Sequence, residues 1–374
     1  MNPRERFIET LTFGTPDKVP FSPGWPRKST VEAWRTQGLP PGGDWLEALH
    51  AAIGVERETT RPQVGHGVDL RMMPQFEEKV LEHRDGHYVV QDWKGNICEI
   101  ADKFDPSYLR NAIDFVTRKW IKLPVESRDD WAGMRKRYNP DEPGRFPDDF
   151  ADRCRRLRER DYVCTVAVSG PFWQMREWVG FERLCMLFLD DPDLVREMAE
   201  FWTEFVSRVL APLLEAGVVD HLHISEDMAY KEKAMVSPAM TREFLAPCYR
   251  RWVGEARGAG VPVIDMDSDG NVHELIPIWI ESGINVCDPM EVAAGNDIAA
   301  MRAAHGRRMA FRGGVDKRAI ARGGDAIVKE LARLAPVLRD GGYIPECDHG
   351  VPPDVAWPDF VRYSRMLAEL TGWL

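Results

Sequence analysis

A chain of 374 residues that is 44% hydrophobic and 29% charged holds enough apolar material to bury a large core, as one big domain or two smaller ones. Its formal net charge of -11 and pI near 5.4 exclude wholesale binding to nucleic acid or to an anionic membrane, both of which need a concentrated positive field, and leave small molecules and protein partners. No apolar run approaches the roughly 20 residues that cross a bilayer, the seven cysteines show no CxxC spacing, and the start "MNPRERFIETL" lacks the apolar core of a signal peptide, so a reducing cytoplasm with free thiols is expected.

In chain order, the first third is irregular. "FSPGWPRKSTVEAW" and "GLPPGGDW" are loop-like in their Pro and Gly content. "HRDGHYVVQDWKGNI" alternates around Asp-Gly and Lys-Gly turns, the pattern of a β-hairpin. Residues 124–150 are polar and Pro-rich, a surface connection rather than a domain boundary. The rest has a rhythm in which a short β-rich run ends in Gly and acids and a helical pattern follows. The runs are "YVCTVAVSG", "VVDHLHISED", "VPVIDMDSDG", "INVCDPME", "RMAFRGGVD" and "YIPECDHG". Strand, loop and helix repeated in one sense imply parallel strands joined by crossover helices. A closed eight-stranded barrel and an open doubly wound sheet both satisfy this. The barrel is favoured because no GxGxxG or GxxxxGK[ST] loop follows a strand and polar groups end nearly every strand. Between the runs, "DDPDLVREMAEFWTEFVSRVLAPLLEAG" places Leu194, Met198, Phe201, Trp202 and Phe205 on one helical face, and "SPAMTREFLAPCYRRWVGEARGAG" opens at a Ser-Pro cap.

The strand ends carry the chemistry. Asp265, Asp267 and Asp269 crowd into five residues before Gly270, where like charges must take up a proton, a cation or a basic partner. Helix capping by Asp269 is the simpler alternative. His221 and His223 stand two apart on a strand, with Glu226 and Asp227 beyond. For these histidines, burial with backbone hydrogen bonds competes with metal ligation. "PECDHG" bunches Glu346, Cys347, Asp348 and His349, a turn better suited to a ligand or an acid–base pair. Asp288, Glu291, Arg312, Asp316 and Lys317 add further polar groups, and the Gly pair after Arg312 permits close approach of a substrate or merely a turn. Upstream, "SGPFWQMREWVGFERL" sets Phe172, Trp173, Met175 and Trp178 around Arg176, either an apolar pocket with one cation or core.

Four segments together, "MNPRERFIETLTFGTPDKVPF", "SGPFWQMREWVGFERLCMLFLDDPDLV", "EDMAYKEKAMVSPAMTREFLAPCYRR" and "GGYIPECDHGVPPDVAWPDFVRYSRML", resemble the uroporphyrinogen decarboxylase-like superfamily over nearly the whole chain. The resemblance implies an α/β TIM (β/α)8 barrel, one domain over residues 1–374 with an irregular N-terminal segment and an added β-hairpin. It also implies either cofactor-free decarboxylation or zinc-dependent methyl transfer with corrinoid proteins. Where the decarboxylases carry an Arg-rich motif, this chain has only Arg27 and Lys28, while Asp348-His349-Gly350 is similar to their Gly-His-Gly. The methyltransferases' His-x-Cys-Gly is matched by "DSDG", with Asp267 and Asp269 in place of His and Cys, and His349 falls where their later Cys stands. The resemblance thus implies Asp267, Asp269 and His349 as ligands of a zinc ion, and Glu226, Asp227, Asp269 and His349 as the catalytic set. Trp25, Phe172, Trp173, Arg176, Arg312 and Tyr343 are the expected substrate contacts. The implied reaction moves a methyl group between a small O- or N-methylated substrate and a corrinoid supplied by a partner protein, since no DxHxxG-like motif is present. A homodimer is a further partner expectation. The alternatives are a metal-free decarboxylase or lyase using the rim carboxylates and His349, and a non-catalytic binding subunit.

Overall fold

Turn chemistry sets the first sheet of the computed structural model, which describes residues 1–58, 63–111 and 116–374. Asp85 and Gly86, both at positive φ (48° and 75°), form the kind of two-residue turn that suits twisted strands, and fold β1 (Lys79–Arg84) onto β2 (His87–Gln91). Gly95, at φ 88°, leads into β3 (Ile97–Ala101), and β4 (Lys119–Lys122) completes a four-stranded antiparallel sheet. The expected hairpin is therefore the centre of a larger sheet. Val90, Cys98 and Ile100 form its buried side. It lies in a compact unit made of Gly67–Phe150 and Ser169–Pro212. In the same unit Tyr138, Trp178, Trp202 and Phe205 form a buried aromatic cluster, with Trp178 Nε1 donating to the Tyr138 hydroxyl at 3.3 Å.

The other unit comprises Met1–His66, Ala151–Val168 and Leu213–Leu374. Each of the six β-rich runs yields one strand: β5 (Thr165–Ser169), β6 (His221–Ser225), β7 (Val263–Asp267), β8 (Val286–Asp288), β9 (Ala310–Val315) and β10 (Tyr343–Cys347). They neighbour one another in chain order, and β6 to β10 pair in parallel, an α/β arrangement with crossover helices. Leu11, Val263, Val286, Ala310 and Ile344 pack as one cluster with Phe7, Phe13 and Val19, which seats the helix Pro3–Leu11 against the sheet. The Ser-Pro segment is helical as its cap predicts, but it passes through a π-helical turn at Thr241–Leu245 before Ala246–Gly258. Pro247 has no N–H to give the preceding turn, and the wider turn accommodates that loss. Gly313 and Gly314 are close-packing residues rather than an opening for substrate. A side chain at either would collide with the Pro289 carbonyl or with Ile298. No described helix is long and apolar enough to cross a membrane, and all seven cysteines are free.

Before β6, Asp220 is buried and receives Arg160 through Nε at 2.7 Å, Arg4 Nε at 2.9 Å and the Cys164 amide at 2.9 Å. Removing one partner of such a pair leaves an uncompensated buried charge. Asp220→Ala should lower unfolding free energy by about 3–5 kcal/mol in urea titrations, and a loss under about 1 kcal/mol would show that the network carries no weight.

Candidate functional site

Strand alternation directs His221 and His223 to one face of β6, and the parallel register sets His223 beside Asp265, Ser225 beside Asp267, and Asp267 beside Asp288. The fully buried Asp265 is the hub. Its Oδ1 meets His223 Nδ1 at 2.6 Å, and its Oδ2 lies 3.0 Å from His221 Nε2 and 3.1 Å from Arg312 Nη1. Burial opposes its charge, but the two imidazoles hold its carboxyl well below the ordinary range. Burial likewise opposes charge on His223, and Asp265 with Asp267 overrides it, pushing the ring up to about 10.

Arg312 also reaches Asp288 Oδ2 at 3.1 Å and Glu346 Oε2 at 3.9 Å, and the Ser22 hydroxyl donates to Glu346 at 2.8 Å. Burial pushes Asp288 up to about 7; Arg312 works against the rise, and Asp265 and Glu346 add to it. Glu346 is raised by burial, with Arg312 and Ser22 opposing.

An open cleft of about 310 Å³ exposes this layer, lined by Asp267, Asp269, Asp288, Glu346, Arg312 and His349 with Trp25 and Cys347. His349 Nε2 lies 3.2 Å from Asp269 Oδ2, and Arg27 Nη2 lies 3.4 Å from Nδ1. A guanidinium only donates, so neutral His349 accepts at Nδ1 and donates from Nε2 to Asp269. The bond to Asp269 raises the His349 pKa, against burial. The N-terminal segment is pinned here by backbone bonds, Val351 N to the Trp25 carbonyl at 2.8 Å and Arg27 N to the Val351 carbonyl at 3.3 Å.

Gly270 makes the turn that presents Asp269. At φ 83° it lies against the Ala229 carbonyl, where no side chain fits, its amide donates to Glu291 Oε2 at 3.3 Å, and its carbonyl accepts from Asn296 Nδ2 at 2.8 Å. The capping alternative for Asp269 is not what forms, because the next helix begins only at Ile276.

Asp267, Asp269, His349, Trp25 and Arg312 therefore share one cleft, as the sequence suggests. Glu226 is fully buried, accepts from the Tyr249 hydroxyl, and donates its amide to the Asp267 carbonyl at 2.9 Å, so it supports the strand end. Asp227 follows it at φ 49°, its amide also directed at that carbonyl. Tyr343 is fully buried with its hydroxyl on the Gly313 carbonyl at 2.9 Å, and does not line the cleft. Phe172, Trp173 and Arg176 belong to the first-described unit, where Phe172 is buried and Arg176 stacks 4.3 Å from the Trp173 ring centre. Sequence reasoning leaves His223, Asp288 and Glu346 outside the chosen set; the strand-end positions of Asp288 and Glu346 and the alternation of His223 with His221 along β6 are the available signal.

Two donor sets face the question of a metal. His221, His223 and Asp265 offer atoms within 4.8 Å of one another, but Arg312 lies 3.1 Å from Asp265, and an ion among them would confront that buried guanidinium. Asp267, Asp269 and His349, with side chains 38%, 39% and 35% exposed, are open to the cleft and combine two carboxylates with an imidazole. Those residue types suit a divalent cation, although among the described residues only His221, His223 and Asp265 bring three donor atoms within 4.8 Å of one another, and Arg312 lines this cleft as well.

The chain matches the family model of uroporphyrinogen decarboxylase (URO-D) over residues 112–361, two-thirds of its length. No protein of curated function matches it in sequence. Among solved structures, a methyltransferase from Methanosarcina mazei superposes with a TM-score of 0.59 over 100% of this chain and 98% of its own, at 16% identity, a likeness of fold. A B12-independent methionine synthase from a Shewanella species, in complex with selenomethionine, is more distant, with a TM-score of 0.38, 13% identity, and coverage of 60% of this chain and 65% of its own. The family match runs through β5 to β10 and every strand-end residue of the cleft, and the chain belongs to the uroporphyrinogen decarboxylase (URO-D) family.

Proposed function

We propose that this protein is a methyltransferase-type enzyme that moves a methyl group between a small O- or N-methylated substrate and a separate corrinoid protein, on a closed (β/α)8 barrel. The observation that carries the reading is the convergence of Asp267, Asp269 and His349 on one open cleft at the C-terminal ends of parallel strands, the place where such folds bind ligands. These three would hold a zinc ion, which when bound supplies Lewis-acid polarisation of the heteroatom that gains or loses methyl. Without the ion, His349 Nε2 donates to Asp269 Oδ2; to ligate, Nε2 would have to give up that proton and Nδ1 turn from Arg27. Trp25, 64% exposed at the cleft, offers a flat face to the substrate. Arg312 is engaged by three carboxylates and keeps them from repelling one another. The acid-rich lining disfavours a polycarboxylate such as a porphyrinogen. The free thiols support a reducing compartment.

Metal content by inductively coupled plasma mass spectrometry on untagged protein tests this. About one zinc per chain is expected in the wild type and a large loss in Asp267→Ala and His349→Ala at unchanged circular dichroism. Zinc retained in both variants sinks the ligand assignment. A wild type that stays metal-free after zinc addition sinks the methyl-transfer reading.

A second reading is favoured by Asp288, a cleft carboxyl whose pKa of about 7 suits proton transfer in a metal-free decarboxylase or lyase. The folded state binds the Asp288 proton more tightly than the unfolded chain does, so its contribution is present below the ordinary 3.8 and lost as pH rises through about 7. In chelator-treated protein, Asp288→Asn should therefore be more stable than wild type by about 1–3 kcal/mol near pH 8, with the gain fading toward about pH 4. A difference that does not change with pH in urea titrations would refute this.

A further inference from the structure

The two imidazoles of β6 are built differently. His221 is enclosed, with Nδ1 3.0 Å from Thr165 Oγ1 and Nε2 3.0 Å from Asp265 Oδ2. His223, its side chain 20% exposed, has one nitrogen on the buried Asp265 and the other facing Asp267, a residue of the cleft. Its Nδ1 meets Asp265 Oδ1 at 2.6 Å, so a fully buried carboxylate fixes the ring's orientation and, in the neutral ring, keeps the proton on Nδ1. Its Nε2 stops 3.6 Å from Asp267 Oδ2, too long for a hydrogen bond. Two atoms that ligate one tetrahedral ion at about 2.0–2.2 Å each stand about 3.3–3.6 Å apart. The separation of His223 and Asp267, a loose ion pair when the ring is protonated, therefore also matches that of two ligands of one ion. An imidazole whose far nitrogen donates to a carboxylate is also the usual form of a metal-binding histidine.

We propose that His223 is a ligand, through Nε2, of the cation held by Asp267, with Asp265 as the carboxylate that orients it. The proposal rests on the reading that the cleft holds a divalent metal. Binding releases the Nε2 proton to solvent, and the neutral ring keeps Nδ1–H on Asp265. Arg312, 3.1 Å from Asp265 Oδ2, then remains as the counter-charge that keeps Asp265 ionised. A second imidazole in addition to His349 changes the donor set from two carboxylates and one imidazole to two of each, which favours zinc or cobalt over magnesium or calcium. Asp265 is a positioning residue in this scheme, because it reaches the ion only through His223.

The test is cobalt(II) titration of the chelator-stripped full chain, followed by visible absorption and by competition with zinc. Wild type should bind one cobalt with the intense bands of a tetrahedral site. His223→Gln should lose about 100-fold or more in affinity with an altered spectrum, and Asp265→Asn about 10–100-fold. Wild-type affinity and spectrum in His223→Gln, alongside loss of cobalt in Asp267→Ala, would overturn the role of His223 and leave the metal reading standing. No cobalt binding by the wild type would overturn both. If the variants fail to fold, cadmium-to-nitrogen couplings in wild-type protein labelled at its histidine rings decide the matter: coupling to two imidazoles is expected, and coupling to one or none overturns the proposal.

Discussion

A carboxylate with no access to solvent, Asp265, is the constraint on which the site depends. Unpaired, an ion in that position would be neutralised or would cost several kcal/mol. Two imidazoles and a guanidinium surround it instead, drawn from β6 and β9 on either side of β7 and β8. Those strand ends are consequently locked to one another by charge as well as by backbone pairing. Several other groups of the cleft are placed relative to this cluster, Asp288 and Glu346 by Arg312 and the turn bearing Asp269 by its continuity with β7, while His349 is held by Asp269 and Arg27.

Around this centre the chain distributes protons unevenly. Against the effect of burial, Asp265 is held below the ordinary carboxyl range by its imidazoles and His223 is pushed up by its carboxylates, while Asp288 and Glu346 bind their protons more tightly than ordinary carboxyls do. Such a split among neighbouring acids is what a site needs if it is to meet a cation and also exchange protons near neutrality.

The repeating architecture was legible because each of the six runs is short, β-rich and closed by Gly or acids, and each gave one strand. The cleft was half legible for a related reason: residues at strand ends share a rim, so Asp267, Asp269, Arg312 and His349 could be grouped without coordinates. What sequence could not supply was which strand-end residues point inward. Tyr343 and Glu226 are polar and well placed along the chain, yet both are enclosed and spent on partners, a backbone carbonyl for one and the Tyr249 hydroxyl for the other. The central role of Asp265 depends on parallel register with His223, a relation between residues 42 apart. The four-stranded sheet shows the reverse case, where Asp85-Gly86 declared a hairpin but β1 and β4, exposed along their lengths, left little apolar pattern to read.

Cys347 borders the cleft, yet it is buried, and burial with the neighbouring acids pushes its thiol pKa far up. A sulfur held as the thiol is a poor nucleophile and a poor target for peroxide. Among the described residues that line the cleft Cys347 is the one soft donor, and with its sulfur held as the buried thiol the lining should pass through exposure to oxygen chemically unchanged, a durability that a cleft lined by a thiolate does not share.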